Sequence, residues 1–334
     1  MNEGIPISRP LHVPAAQRAR RGAWIVPLAV ICCWGLVASS PITVSMVTVF
    51  LFAGLHNWFE LRFFLERMPA RWGTMSAYFS VALGGVLLLS VTSIVLVWSG
   101  WTTATSLSVW LTGVVLWGAS LLIMNADSSD WTSRLLWLPP ALLLVACVWL
   151  FPYVLSVALV YLHPCIGFCV LTQELRRRRP QWKPLVMMTL GLLPVLLIAL
   201  CCLPFDSATV SSSNEMSQTL ARHAGAGVIP WISNTQSIAI HAFLELLHYA
   251  VWIVAIPLLS YRATAWSLAA VPLMKRSQTW AYIVPALLAL CSLLCVALWG
   301  GLLVDYLLVR QIYFTVAIVH VLAEIPFVIR GWRT

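Results

Sequence analysis

The chain is 334 residues long, 61% hydrophobic and only 9% charged. Soluble domains carry about 25% charged residues, so this composition excludes an ordinary water-soluble domain. The formal net charge of +9 does not point to nucleic acid, because loop arginines that set membrane orientation account for it.

Apolar runs recur along the whole length, which predicts an all-α, polytopic membrane bundle. A spanning helix needs about 20 apolar residues. On that ruler the chain divides into ten spans, near 23–39, 42–65, 75–98, 106–125, 135–151, 153–175, 184–204, 235–261, 280–302 and 307–329. The first and fifth are short, and only Phe151-Pro152 divides the fifth from the sixth. A basic tail, 1–22, precedes a single transmembrane domain, 23–330, with one long loop at 205–234. That loop is rich in Ser, Asn, Gly and Ala and reads as a plain loop. The tail leads into further spans, not into a cleavage site.

Charge sets the orientation. With the N-terminus in the cytoplasm, eighteen of the twenty Lys and Arg residues fall on the cytoplasmic side, and only Arg222 and Arg310 fall outside. That asymmetry predicts an even number of spans with both termini inside. A multi-pass protein of the bacterial inner (plasma) membrane is the expected setting. Several tryptophans (Trp24, Trp98, Trp101, Trp131, Trp182, Trp231, Trp332) sit near span ends, as an interfacial belt requires. All nine cysteines lie in apolar segments and none forms a CxxC, so they read as packing residues.

Ionisable residues inside spans are costly, so each marks a functional-site hypothesis. Here they are His56, Glu60, His163, Glu174, His241, Glu245, His248, Asp305, Arg310, His320 and Glu324. Five of seven histidines lie in spans; His12 and His223 do not. The stretch from Ile240 to Tyr249 carries His241, Glu245 and His248 at helix-neighbour spacing. The His-x-x-x-Glu spacing recurs at His56/Glu60 and His320/Glu324. Glu60 beside Arg62 and Glu174 beside Arg176 have interfacial ion pairs as their bland reading. Asp305 and Arg310 have a pair with each other.

Depth selects among the histidines. His56, His163, His248 and His320 lie eleven, thirteen, fourteen and ten residues before the arginines that end their helices. A rise of 1.5 Å per residue puts all four about 15–21 Å from those ends, near the bilayer middle. His241 sits about 10 Å beyond His248 along the helix. Imidazole suits iron, copper and zinc, and no thiolate set competes. The four histidines therefore predict a metal centre. Glu60, Glu245 and Glu324 are supporting carboxylates or additional ligands, and His241 is peripheral or part of a second metal site. His163-Pro164 adds a kink that frees the carbonyl of Val160.

Four histidines with three glutamates are similar, in ligand inventory alone, to the iron centre of carotenoid cleavage oxygenases. Five histidines with three glutamates resemble the count in membrane di-iron desaturases and hydroxylases, whose HxxxH and HxxHH motifs are absent here. Three functions compete. The first is a non-haem iron oxygenase, hydroxylase or desaturase acting on a lipid-soluble substrate that enters from the membrane lipids. Its electron donor would dock on the basic cytoplasmic face. The second is a haem-binding electron-transfer or haem-processing protein. The third is a proton-coupled transporter, which the lack of a visible inverted repeat weakens.

Overall fold

The computed structural model describes residues 24–69, 71–126, 131–205, 215–260 and 267–331. The basic tail, with its four arginines and His12, lies outside the described residues, as do Arg262, Trp332 and Arg333. Among the described residues the chain is all helix, with no strand.

Thirteen α-helices follow in order: α1 Ile25–Ser39, α2 Pro41–Arg67, α3 Ser76–Trp98, α4 Ala104–Asn125, α5 Trp131–Leu135, α6 Leu138–Leu150, α7 Pro152–Arg178, α8 Lys183–Cys202, α9 Glu215–His223, α10 Asn234–Ala250, α11 Ile256–Ser260, α12 Gln278–Val304 and α13 Tyr306–Gly331. Nine helical stretches among the described residues are long and apolar enough to cross a membrane, and α5 and α6 form one of them together. This is the character of a multi-pass membrane protein. The predicted first span differs. It is the 15-residue α1, shorter than the other nine. Pro41 opens α2 straight after Ser40, so α1 cannot lengthen at that end.

Four helices form a ring. α2 packs on α10, α10 on α7, α7 on α13, and α13 on α2. These are the four helices that carry the mid-depth histidines. α10 sits deepest, touched also by α1 and α8, and it is the most buried of the nine apolar stretches. α3 and α4 cover α13, and α12 covers α2. The crossing of α2 with α12 is close because Gly54 has no side chain: a Cβ there would lie 2.8 Å from the Cα of Cys295. Small residues serve such crossings where lipid supplies no hydrophobic drive between helices. Leu87, Leu88, Leu142, Leu143, Val195 and Leu293 point outward, exposed, as a lipid-facing surface requires. The cysteines are all free.

Local sequence sets the ends and breaks of α10. Ser233 and Gln236 form a reciprocal capping box at its start. The Gln236 amide also donates to the carbonyl of Cys201 at 2.5 Å, tying α10 to α8. After Tyr249 the helix widens into a π-helical turn, Val251–Ala255. Pro257 has no N–H to offer the carbonyl of Ile253, and a π turn absorbs that lost bond.

At the basic end, Glu174 locks α7 to α2. It pairs with Arg67 at 2.5 Å and with Arg178 at 3.1 Å, so its partners are not the adjacent Arg176. Arg62 pairs with Glu66, which leaves Glu60 inside the bundle.

The predicted loop at 205–234 differs from expectation. Residues 206–214 lie outside the described residues, but α9 is a helix packed on α10 and α2. Glu215 in its first turn and Arg222 in its last complement the helix dipole. Leu220 and Ala221 are buried. The Tyr161 hydroxyl bonds the carbonyls of Ala224 and Ser237, pinning the segment to α7 and α10.

Candidate metal centre

The four mid-depth histidines meet inside the helix ring. Their ring centroids lie 5.2 Å apart for His56 and His248, 4.5 Å for His248 and His163, 4.9 Å for His163 and His320, and 5.3 Å for His320 and His56. Each helix thus hands one imidazole to the next. Nε2 of His163 lies 3.2 Å from Nε2 of His320. Nδ1 of His163 lies 3.0 Å from Oε2 of Glu324.

Two overlapping donor groups result. His56, Glu60, His248 and His320 form one, and His163, His248 and Glu324 form the other, with the donor atoms in each group within 4.8 Å of one another. Donors on opposite sides of one ion lie about 4.2 Å apart at metal–nitrogen distances of about 2.1 Å. Any pair at the wide end closes by about half an ångström to bind.

Backbone contacts orient the rings. Nδ1 of His56 is 3.3 Å from the carbonyl of Phe52. Donation to that carbonyl puts the proton on Nδ1 and leaves the Nε2 lone pair free, the tautomer a ligand needs. His248 packs against α7 where Gly167 has no side chain: a Cβ there would stand 3.0 Å from its Nδ1. The interior Pro164 of α7 adjoins His163.

Two acidic side chains are buried here. Glu60 is 2% exposed and Glu324 0%, and among the described residues neither pairs with an arginine or lysine. Oε2 of Glu60, Nε2 of His56 and Nε2 of His248 are buried without a hydrogen-bond partner, while Glu324 meets only uncharged groups, the His163 ring and the Trp252 indole. Native interiors leave few such atoms, and an uncompensated buried carboxylate costs several kcal/mol. Either donor group, three imidazoles with one carboxyl or two imidazoles with one carboxyl, could hold a metal ion.

His241 and Glu245 stand outside both donor groups. They belong to a second polar cluster one to two turns away. There Nδ1 of His241 lies 3.7 Å from Oε2 of Glu245, and the Tyr249 hydroxyl donates to Oε1 of Glu245 at 2.6 Å. Tyr249 in turn reaches Tyr313, which reaches Asn57. This cluster includes His223, which the sequence reading placed in the loop. Its ring stands edge-on to His241 at 5.0 Å and packs on Phe314 at 3.8 Å. Burial, then His241 and Arg310, push the His223 pKa below its ordinary 6.5. Asn57 was missed too, although a polar residue directly after His56 was its signal. A cavity of about 130 Å³ joins the two clusters, lined by the four ring histidines together with His223, His241 and Glu245.

Comparison of the chain with protein-family models, with curated proteins and with solved structures returned no match.

Proposed function

We propose that the chain is an integral membrane metalloenzyme, a non-haem iron oxygenase, hydroxylase or desaturase acting on a lipid-soluble substrate. The observation that carries this reading is a second cavity sharing a wall with the histidine cluster. It has a volume of about 420 Å³, lies between α2, α12 and α13, and is almost wholly apolar. Its polar residues are Asn57, Glu60, Tyr313 and His320, so an apolar chain lying there touches the donor set. Ligand pockets of about 300–1,000 Å³ with a few convergent polar groups are the usual form of a small-molecule site.

His56, His163, His248 and His320 would hold the metal, with Glu60 and Glu324 as carboxylate ligands or as the groups that orient the imidazoles. Iron held there supplies oxygen binding and activation. Glu324 holds the His163 ring, Gly167 gives His248 its room, and the apolar walls exclude water from the substrate. Hydroxylation or desaturation also needs two electrons and two protons per O2, from a donor docking at the basic end. Glu245 and His241 line the approach to the centre and take no ligand role in this reading.

The topology proposed with it puts the basic end in the cytoplasm, α1 as a thin tenth crossing, both termini inside and α9 on the outer face. The bacterial plasma membrane is the proposed location, and the 1–22 tail with the single transmembrane domain is the proposed organisation. A haem reading is less favoured because the cavity of about 130 Å³ among the histidines leaves no room for a porphyrin.

The test is metal content and the visible spectrum of the purified protein. Stoichiometric iron without a Soret band is the expected result. A Soret band returns the haem reading, and protein without metal after iron supplementation overturns the metalloenzyme.

A further inference from the structure

The bundle end opposite the basic one holds a buried cation that the centre does not use. Arg310 in α13 is 4% exposed, and its Nε has no hydrogen-bond partner. It makes no ion pair among the described residues. Asp305 does not serve as its counter-ion: Oδ1 of Asp305 accepts from the backbone N–H of Leu308 at 3.0 Å and caps α13. The Glu245 carboxylate acts on Arg310 electrostatically, but its two oxygens face Tyr249 and His241. The guanidinium lies over the Phe314 ring at 4.5 Å, a cation–π contact that supplies no counter-charge. The Tyr306 hydroxyl also meets the guanidinium, but it is neutral, so among the described residues no carboxylate oxygen contacts this buried charge.

Arg310 lines an open cavity of about 730 Å³. Arg222 of α9 lines it too, its Nη2 oriented by the Thr219 hydroxyl at 3.1 Å. Glu215 supplies one negative charge at the exposed rim. Two arginines against one glutamate leave a charge of +1. Leu96, Leu107 and Trp110 give it an apolar wall. Leu159, Val160, His223, Phe314 and Ile318 line both this cavity and the metal-centre cavity and form the partition between them.

We infer that this cavity is an oxyanion site, in which Arg310 and Arg222 hold a carboxylate or phosphate. The planar guanidinium supports paired hydrogen bonds to such a group. The apolar wall beside the arginines suits an acyl chain attached to it. The site is independent of the metal, so it stands or falls separately from the proposed enzyme activity.

The experiment is thermal unfolding of the detergent-purified protein, metal-stripped and metal-loaded, titrated with phosphatidylglycerol, with phosphatidylcholine or with inorganic phosphate. Phosphatidylglycerol raises Tm in both metal states and phosphatidylcholine does not. Arg310→Gln and Arg222→Gln each weaken the apparent affinity about tenfold, the loss of one charge-assisted hydrogen bond. Arg179→Gln, at the basic end, leaves it unchanged. An arginine-dependent rise with inorganic phosphate alone supports the site and assigns it to a free anion. Equal shifts with both lipids, or a phosphatidylglycerol shift that survives Arg222→Gln, overturn it. Arg222 is exposed on α9, so that variant decides the matter even if Arg310→Gln fails to fold.

Discussion

Nε2 of His163 and Nε2 of His320 stand 3.2 Å apart on two different helices. That is the separation of an N–H···N hydrogen bond between two imidazoles, and it links the two donor groups, His320 belonging to one and His163 to the other. His163 also places its Nδ1 against Glu324, so one side of the ring faces a carboxylate while the other faces the partner imidazole. This chain of carboxyl and two imidazoles makes the pair the most direct handle on the site.

Replacing either ring with alanine removes a donor. His320→Ala and His163→Ala are expected to bind iron at well below one equivalent, measured by elemental analysis, while circular dichroism keeps its helical signal. Full metal retention in both would remove these two residues from the centre.

Glu324 acts on metal affinity through His163. Glu324→Gln keeps the shape but loses the charge, and a change of about 10–100-fold in metal affinity is expected. Competition with a chelator of known affinity reads it directly. An unchanged affinity would make Glu324 a packing residue.

Metal binding requires neutral imidazoles and ionised carboxylates, so protons compete with the ion. Affinity is therefore expected to fall as pH falls, and the Tm gap between metal-loaded and metal-stripped protein should narrow with it. A gap that widens on acidification contradicts a histidine and carboxylate donor set.

His241 stands outside both donor groups. His241→Ala is expected to leave iron stoichiometry unchanged, in contrast to His248→Ala seven residues along the same helix. Loss of metal in both variants would return His241 to the ligand set.

Val316 lines the apolar cavity and is exposed at the surface of α13. Val316→Trp adds bulk there without touching a donor. Iron content should be retained, and turnover of a lipid-soluble substrate should fall through a raised KM. A variant with unchanged KM would place the substrate elsewhere.

Helix positions were legible in the sequence because an apolar run in a membrane chain has one periodicity to satisfy and few alternatives. The predicted span near 75–98 matches α3 at Ser76–Trp98, and the one near 307–329 matches α13 at Tyr306–Gly331. Depth was legible for the same reason: a fixed rise per residue converts residue counts into height, and the four histidines placed at one level do meet. Azimuth was not legible. Counting residues says how deep His241 and His248 lie, but not which neighbouring helix each faces. Only the packing of α10 among α2, α7, α1 and α8 sends His248 to the histidine ring and His241 towards His223. The α9 helix was hidden as well, because its burial depends on Tyr161 and on the sides of α10 and α2, contacts far apart in sequence. The unpaired state of Arg310 is likewise a tertiary fact. Its neighbour in sequence, Asp305, was free to be its partner until the helix start took that carboxylate as a cap.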